Sequence, residues 1–172
     1  MGQIDWELLY RAAQLHDIGK LAIPDAILHK PGKLDDAEWA FIEQHTVVGE
    51  RILAASPFLR RIGEIVRSTH ERFDGTGYPD RLSREQIPLA ARIICACDAL
   101  DAMTRARPYG APLELDQALA ELERCAGTQF DPEVVEALVR SVRLSELGGG
   151  QVEPEGFHVG ERGHFADHDQ RG

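Results

Sequence analysis

The adjacent pair His16-Asp17 combines two side chains that can bind the same metal ion. A neutral imidazole offers one ligand atom and a carboxylate another, and the second carboxylate oxygen can reach a further ion. Lys20 follows Asp17 by three residues, so on a helix it shares the face of the pair and could hold a phosphate oxygen there. Most adjacent His and Asp residues are surface polar groups. Here the pair follows an apolar helical stretch, which predicts a buried helix end where charged groups need partners.

Three further candidate ligands, His45, His70 and Asp98, recur at intervals of roughly one helix pair. A divalent metal site needs several His or carboxylate ligands from different elements, and these residues lie on or beside different predicted helices. Each has a structural alternative. His45 could cap the C-terminal end of its helix, and Asp98 could be a hydrogen-bonded polar residue within a packed helix. Taken singly, the structural alternatives are favoured, so the case for a metal site depends on the motifs around these residues.

Several stretches of the chain resemble the HD-GYP family, a branch of the HD metal-dependent phosphohydrolases. They are HDIGKLAIPDAILHKPGKL (16–34), HTVVGERIL (45–53), HERFDGTGYP (70–79), IPLAARIICACDALDAMT (87–104), RPY (107–109) and AGTQFDP (126–132). Together they extend over roughly residues 8 to 140 in the family's order, which makes an accidental match a poor explanation.

The resemblance implies a helical bundle that binds two divalent metal ions, with Asp17 bridging them. One ion would be bound by His16, Asp17 and Asp98, and the other by Asp17, His45 and His70. Two metals about 3.5–4 Å apart can activate a bridging water and clamp the phosphoryl oxygens during in-line displacement. By family analogy the ions are iron or manganese.

The same resemblance implies substrate contacts by Lys20, Tyr78 and Arg107. Lys20 would stabilise phosphate charge, and Tyr78, in the Gly-Tyr-Pro (GYP) loop, would donate a hydrogen bond to a phosphate. Arg107 would be a second phosphate contact because its planar guanidinium presents a fork of donors. The structural alternatives are a Tyr78 ring wedged between loop and core, and an Arg107 exposed after a helix end.

Three departures from the family pattern bear on activity. The family usually has two consecutive histidines where this chain has Thr69-His70, and often a basic residue where it has Gly110. It also usually supplies a Glu and a His from a helix well upstream, whereas only 15 residues precede His16. The HD-GYP domain, expected over residues 1–144, is therefore predicted to be truncated on its N-terminal side and short of metal ligands.

The leading functional hypothesis is a metal-dependent phosphodiesterase that hydrolyses cyclic-di-GMP, a bacterial second messenger, to pGpG or GMP. A second enzyme hypothesis is an HD phosphohydrolase for another nucleotide. A hypothesis of a different class is a degenerate, non-catalytic HD-GYP domain that binds a nucleotide or a protein. The metal content of the purified protein best distinguishes the enzyme hypotheses from the non-catalytic one, because only the enzyme hypotheses require bound metal.

Composition narrows the partners and the compartment. The chain has 172 residues and a formal net charge of −10, which argues against binding a nucleic acid polymer. It shows no signal peptide and no apolar stretch of about 18 residues, so no membrane association is expected and a reducing cytoplasm is the default. Its three cysteines make no obvious disulfide framework. The expected partners are a cyclic dinucleotide and other signalling domains or proteins.

The hydrophobic periodicity is helical almost throughout, which predicts an all-α HD-domain bundle of about six or seven helices. Asp35, Ser83 and Asp131 are expected N-caps. The glycines within 73–82 predict an ordered, non-helical loop. Residues 145–172 are glycine-rich and polar and are expected to form a disordered tail. The expected helices cover 5–16, a stretch from Asp35 through His45, 47–55, 58–71, 88–105, 112–126 and 132–143.

Overall fold

The computed structural model describes residues 4–105 and 111–147, and within these ranges the chain is helical. It contains no strand there, only an isolated bridge between Ala126 and Phe130. The predicted all-α class is confirmed. None of the described helices is both long enough and apolar enough to pass through a lipid bilayer. The α-helices are α1 (Trp6–Leu15), α2 (Asp25–Leu28), α3 (Asp36–Glu43), α4 (His45–Ala54), α5 (Arg60–Arg67), α6 (Leu89–Thr104), α7 (Leu115–Arg124) and α8 (Pro132–Leu147).

The described residues divide into two compact units at Ser68 and Thr69. The first unit contains α1 to α5 and a 3₁₀ segment, Ile18–Ala22, which lies between α1 and α2. Helix α4 packs against α5 and against the 3₁₀ segment, and α5 packs against α1. The core of this unit consists of buried aliphatic side chains: Leu9, Ala12, Ile23, Ile42, Leu53, Ile62, Ile65 and Val66.

The second unit begins with a loop and continues through α6, α7 and α8, which pack against one another. Arg92 of α6 forms an ion pair with Asp131, which precedes α8. The ion pair therefore links two helices that are distant in sequence. The core here is a separate cluster of buried residues: Ala96, Leu119, Leu122, Phe130, Val134, Val135 and Val139.

The predicted caps are present. Asp35 accepts a hydrogen bond from the Glu38 amide, and the Glu38 side chain accepts one from the Asp35 amide, so the predicted capping box is complete. Asp131 accepts from the Glu133 amide at 2.9 Å. Ser83 also forms a capping box, but the segment that follows it is a single 3₁₀ turn, Arg84–Gln86, rather than a helix.

Some predicted boundaries were wrong. The helix expected to run through His45 ends at Glu43, where the Gln44 amide bonds to the Phe41 carbonyl and tightens the last turn, and His45 begins α4. Likewise α5 is shorter than predicted, since exposed Phe58 belongs to a preceding 3₁₀ turn. Helix α8 continues to Leu147, past its expected end at residue 143. The described residues do not include 106–110, which contain Arg107 and Gly110. They also do not include 148–172, which form most of the predicted tail.

Candidate metal centre

The His16-Asp17 pair lies at a corner between α1 and the 3₁₀ segment. Helix α1 ends at Leu15, His16 is its C-cap, and Asp17 precedes Ile18–Ala22. The sequence had predicted that Lys20 would lie on the same helix face as the pair, but Lys20 lies in the 3₁₀ segment that follows it. It reaches Asp17 because residues three apart eclipse each other in a 3₁₀ helix. Lys20 Nζ donates a hydrogen bond to Asp17 Oδ2 at 2.8 Å.

Gly19 allows this corner to approach α4 closely. A Cβ atom at position 19 would lie 1.8 Å from the carbonyl oxygen of His45 and 2.6 Å from the amide nitrogen of Gly49. No side chain fits in that space, so only glycine lets the two backbones meet. This contact brings His45, at the start of α4, beside Asp17.

Both histidines are oriented by a carbonyl at a helix end. His16 Nδ1 lies 2.7 Å from the Ala13 carbonyl oxygen, and His45 Nδ1 lies 2.6 Å from the Ile42 carbonyl oxygen. Because a carbonyl can only accept, each Nδ1 must carry the proton. In the neutral imidazole, Nε2 then carries the lone pair that can bind a metal. The helix-capping role considered for His45 from the sequence is therefore filled by Nδ1, which bonds to the Ile42 carbonyl of α3. The other ring nitrogen, Nε2, faces Asp17.

The Nε2 atoms face opposite oxygens of Asp17. His16 Nε2 is 3.5 Å from Oδ2, and His45 Nε2 is 3.8 Å from Oδ1. Burial lowers the pKa of His45, although the hydrogen bond to Ile42 and the charge of Asp17 oppose the shift. Two ligand atoms that each lie 2.0–2.2 Å from one ion can be separated by up to about 4.4 Å, so both pairs are close enough to share an ion.

The Asp17 carboxylate is suited to hold a cation. Its side chain is 34% exposed, yet Oδ1 is itself buried and has no hydrogen-bond partner among the described residues. Burial raises the pKa of Asp17, but His16, Lys20 and His45 together outweigh it and lower the pKa below its usual value. Asp17 is therefore ionised, and a buried, unbonded carboxylate oxygen beside imidazole nitrogens fits a divalent metal ion.

In the second unit, His70 and Tyr78 form a stacked pair. Their ring centroids are 5.3 Å apart with an interplanar angle of 8°, and the Tyr78 amide donates to the His70 carbonyl at 3.2 Å. The segment around Tyr78 is ordered and non-helical, as predicted. The stacking fixes the orientation of both rings relative to each other.

Glu71 holds this loop in place, a role that the sequence analysis did not foresee. It is 2% exposed, and its carboxylate accepts hydrogen bonds from the amides of Asp80 at 2.6 Å and Leu82 at 3.0 Å. Burial raises the pKa of Glu71 despite these hydrogen bonds. Gly77 is also essential, because a Cβ there would lie 2.3 Å from the Arg72 amide nitrogen. The available signal was an acidic residue directly before a glycine-rich loop.

The remaining predicted site residues have separate positions. Asp98 lies on α6 and is partly buried. Burial, together with the charge of Asp98, raises the pKa of Cys95 to about 12. The structure thus brings His16, Asp17, Lys20 and His45 together within the first unit. It places His70, Tyr78 and Asp98 in the second unit, and the convergence of the two groups stays a prediction.

Residues 4–134 match the family model described as the HD domain, so the chain belongs to the HD domain family. This result agrees with the resemblance seen in the motifs. The match includes the His16-Asp17 corner, α4, the GYP loop and α6.

Curated relatives narrow the comparison further. A cyclic di-GMP phosphodiesterase of Thermotoga maritima is 42% identical over 156 residues, which cover 89% of this chain and 42% of the relative. A 3'3'-cGAMP-specific phosphodiesterase of Vibrio cholerae is 45% identical over 79% of this chain and 30% of the relative. A cyclic di-GMP phosphodiesterase response regulator of Xanthomonas campestris is 45% identical over 83% and 38%, respectively. The chain therefore spans less than half the length of these relatives.

A solved structure supports the fold. The crystal structure of a cyclic GMP-AMP-specific phosphodiesterase of V. cholerae superposes with a TM-score of 0.60 at 20% sequence identity. The superposition covers 87% of this chain and 42% of that one.

Proposed function

We propose that this chain is the HD-GYP portion of a metal-dependent phosphodiesterase that hydrolyses cyclic-di-GMP to pGpG or GMP. The observation that carries the proposal is the buried, unbonded Oδ1 of Asp17 beside the Nε2 atom of His45. The names of the relatives support a cyclic dinucleotide as the substrate. Because this substrate is a second messenger inside bacteria, we place the reaction in the cytoplasm.

For the metal, we propose two divalent ions, iron or manganese, that share Asp17. Asp17, His45 and His70 each supply one ligand atom of a type that such ions accept. His16 and Asp98 would complete the second ion's ligand set with the other oxygen of Asp17. Covalent continuity supports the inclusion of His70, since it follows Ser68, the last residue of the first unit, by only two residues.

The protein's own groups would bind and orient the phosphodiester. A bound divalent ion supplies Lewis acidity toward a phosphoryl oxygen and lowers the pKa of water. Lys20 would neutralise charge on the phosphate, and its position beside Asp17 supports this role. Tyr78, whose ring is held against His70, would donate its hydroxyl to a second oxygen. Arg107 is proposed as a further phosphate contact on sequence grounds alone.

The test is product release by the purified chain, with iron or manganese added anaerobically. Cyclic-di-GMP, 3'3'-cGAMP and an unrelated nucleotide monophosphate ester should be compared by chromatography, with Asp17→Asn as the inactive control. Release of pGpG or GMP by the wild type alone supports the proposal. Hydrolysis of only the unrelated ester supports an HD phosphohydrolase of different specificity.

One observation favours the non-catalytic alternative. Thr69 is 2% exposed, and its hydroxyl stands where the family usually has a histidine. A metal-loaded protein that binds cyclic-di-GMP without releasing product would support a nucleotide-binding module. A Thr69→His variant then tests whether the missing imidazole limits turnover. Since the position is fully buried, the larger ring risks overpacking, so the variant's thermal unfolding must be measured beside its metal content and rate.

A further inference from the structure

We propose that Lys20 occupies one of two cation positions on the Asp17 carboxylate, so that a second divalent ion binds only by displacing it. The inference rests on the proposed metal centre and adds an order of binding to it. The first ion would bind at Oδ1 beside His45, and the second at Oδ2 beside His16.

The geometry makes the two oxygens of Asp17 unequal. Oδ1 is buried, lies 3.8 Å from His45 Nε2, and accepts no hydrogen bond from the described part of the chain. Oδ2 accepts a hydrogen bond from Lys20 Nζ at 2.8 Å and lies 3.5 Å from His16 Nε2. A cation at Oδ1 therefore meets no competitor on that oxygen, whereas a cation at Oδ2 must take the place of an ammonium group.

The Lys20 side chain is well placed to compete. It is only 11% exposed, and the 3₁₀ segment that carries it is fixed against α4 by the close contact at Gly19. Its ammonium is a compact positive charge with three donors, so it can neutralise a carboxylate oxygen as a metal does. Hydrogen bonds to charged groups are among the stronger ones in proteins, and the second ion must break this one before it binds.

The experiment is a titration of the metal-free full chain with Mn²⁺. Binding is measured by calorimetry and by the electron paramagnetic resonance signal of the Mn²⁺ that stays free. We expect the wild type to bind one equivalent tightly and a second weakly. In Lys20→Met, the second equivalent should bind about tenfold or more tightly, the change expected when a competing charge-assisted hydrogen bond is removed. Lys20→Gln gives a second test should the Met variant fail to fold.

The matched control is Lys30→Met, which removes the same charge from the same unit. Lys30 pairs with Glu38 at 2.6 Å rather than with Asp17, so its loss should leave the Mn²⁺ isotherm unchanged. Selective tightening of the second equivalent supports displacement. Equal tightening of both equivalents would indicate simple charge repulsion and overturn the inference, as would an unchanged isotherm. Folded protein that binds no Mn²⁺ in any form would instead overturn the metal centre itself.

Discussion

Two carboxylates, Asp17 and Glu71, organise the two motif regions of this protein, and their oxygens are satisfied in different ways. Asp17, at the corner after α1, interacts with His16, His45 and Lys20, and one of its oxygens has no hydrogen bond among the described residues. Glu71, before the GYP loop, accepts backbone amides on both oxygens. The surroundings lower the pKa of Asp17 and raise that of Glu71.

The difference separates a binding role from a structural one. A carboxylate whose two oxygens each accept a backbone amide has both oxygens satisfied within the protein, and it serves to fix the chain. A carboxylate that is kept ionised, with a buried oxygen left open, carries an energetic cost that a bound cation would remove. The two regions share one device, a glycine that permits backbone contact, at Gly19 and at Gly77.

The largest effect is expected from Gly19→Ala, which should destabilise the corner that positions Asp17. The added Cβ would lie 1.8 Å from the His45 carbonyl oxygen, so the backbone must move, and we expect a loss of about 3 kcal/mol or more in the free energy of unfolding. Urea denaturation measures this loss. Gly63→Ala is the control, because its Cβ would be 3.1 Å from the nearest atom. Equal losses in the two variants would show that the Gly19 contact is not tight.

Asp17→Asn should greatly weaken metal binding while the protein stays folded. The substitution keeps the shape but removes the charge that attracts the ion, and we expect metal affinity to fall by about 100-fold or more, since loss of a second-shell partner alone costs about 10–100-fold. Metal analysis after dialysis, together with thermal unfolding of metal-free protein, measures both quantities. Normal metal content in the folded variant would contradict the role assigned to Asp17.

Glu71→Gln should lower the stability of the fold and leave the affinity for metal at Asp17 unchanged. The amide NH₂ of glutamine would face a backbone N–H, leaving a buried donor without its acceptor, so we expect a loss of about 1–3 kcal/mol in the free energy of unfolding. Hydrogen exchange at the amides of Asp80 and Leu82 should accelerate, because both lose their partner. Glu85→Gln, at an exposed position nearby, should change neither. Unaltered exchange in Glu71→Gln would show that the carboxylate does not hold the loop.

What could be predicted from the sequence was mainly local. The capping box at Asp35 and the cap at Asp131 depend on residues two or three apart, and both are present. The break at Gln44 was missed because no glycine or proline marks it and the apolar period continues through Ile42 to His45.

The long-range contacts could not be predicted in the same way. The need for glycine at position 19 arises from the backbone of α4, about 26 residues further on, and Glu71 bonds to amides nine and eleven residues away. Such contacts depend on tertiary packing, which the spacing of residue types does not encode. The motifs indicated which residues matter in these regions, and the geometry assigned them different tasks.

The smallest effect is expected at the tip of the GYP loop, where Asp74→Asn should reduce stability by about 0.5–1 kcal/mol at neutral pH, the difference between a charge-assisted and a neutral hydrogen bond. Asp74 Oδ1 accepts from the amide and the hydroxyl of Thr76 at 2.9 and 2.6 Å. Burial opposes ionisation, but these bonds and Arg72 lower the pKa of Asp74 below its usual 3.8. A carboxylate whose pKa is lower in the folded state than in the unfolded state stabilises the fold at pH values above its unfolded-state pKa. This stabilisation is lost as the pH falls through the folded-state pKa. The difference between wild type and variant in urea denaturation should therefore be constant above about pH 5 and shrink toward about pH 3. A difference that grows as the pH falls would show that the Asp74 charge does not stabilise the loop.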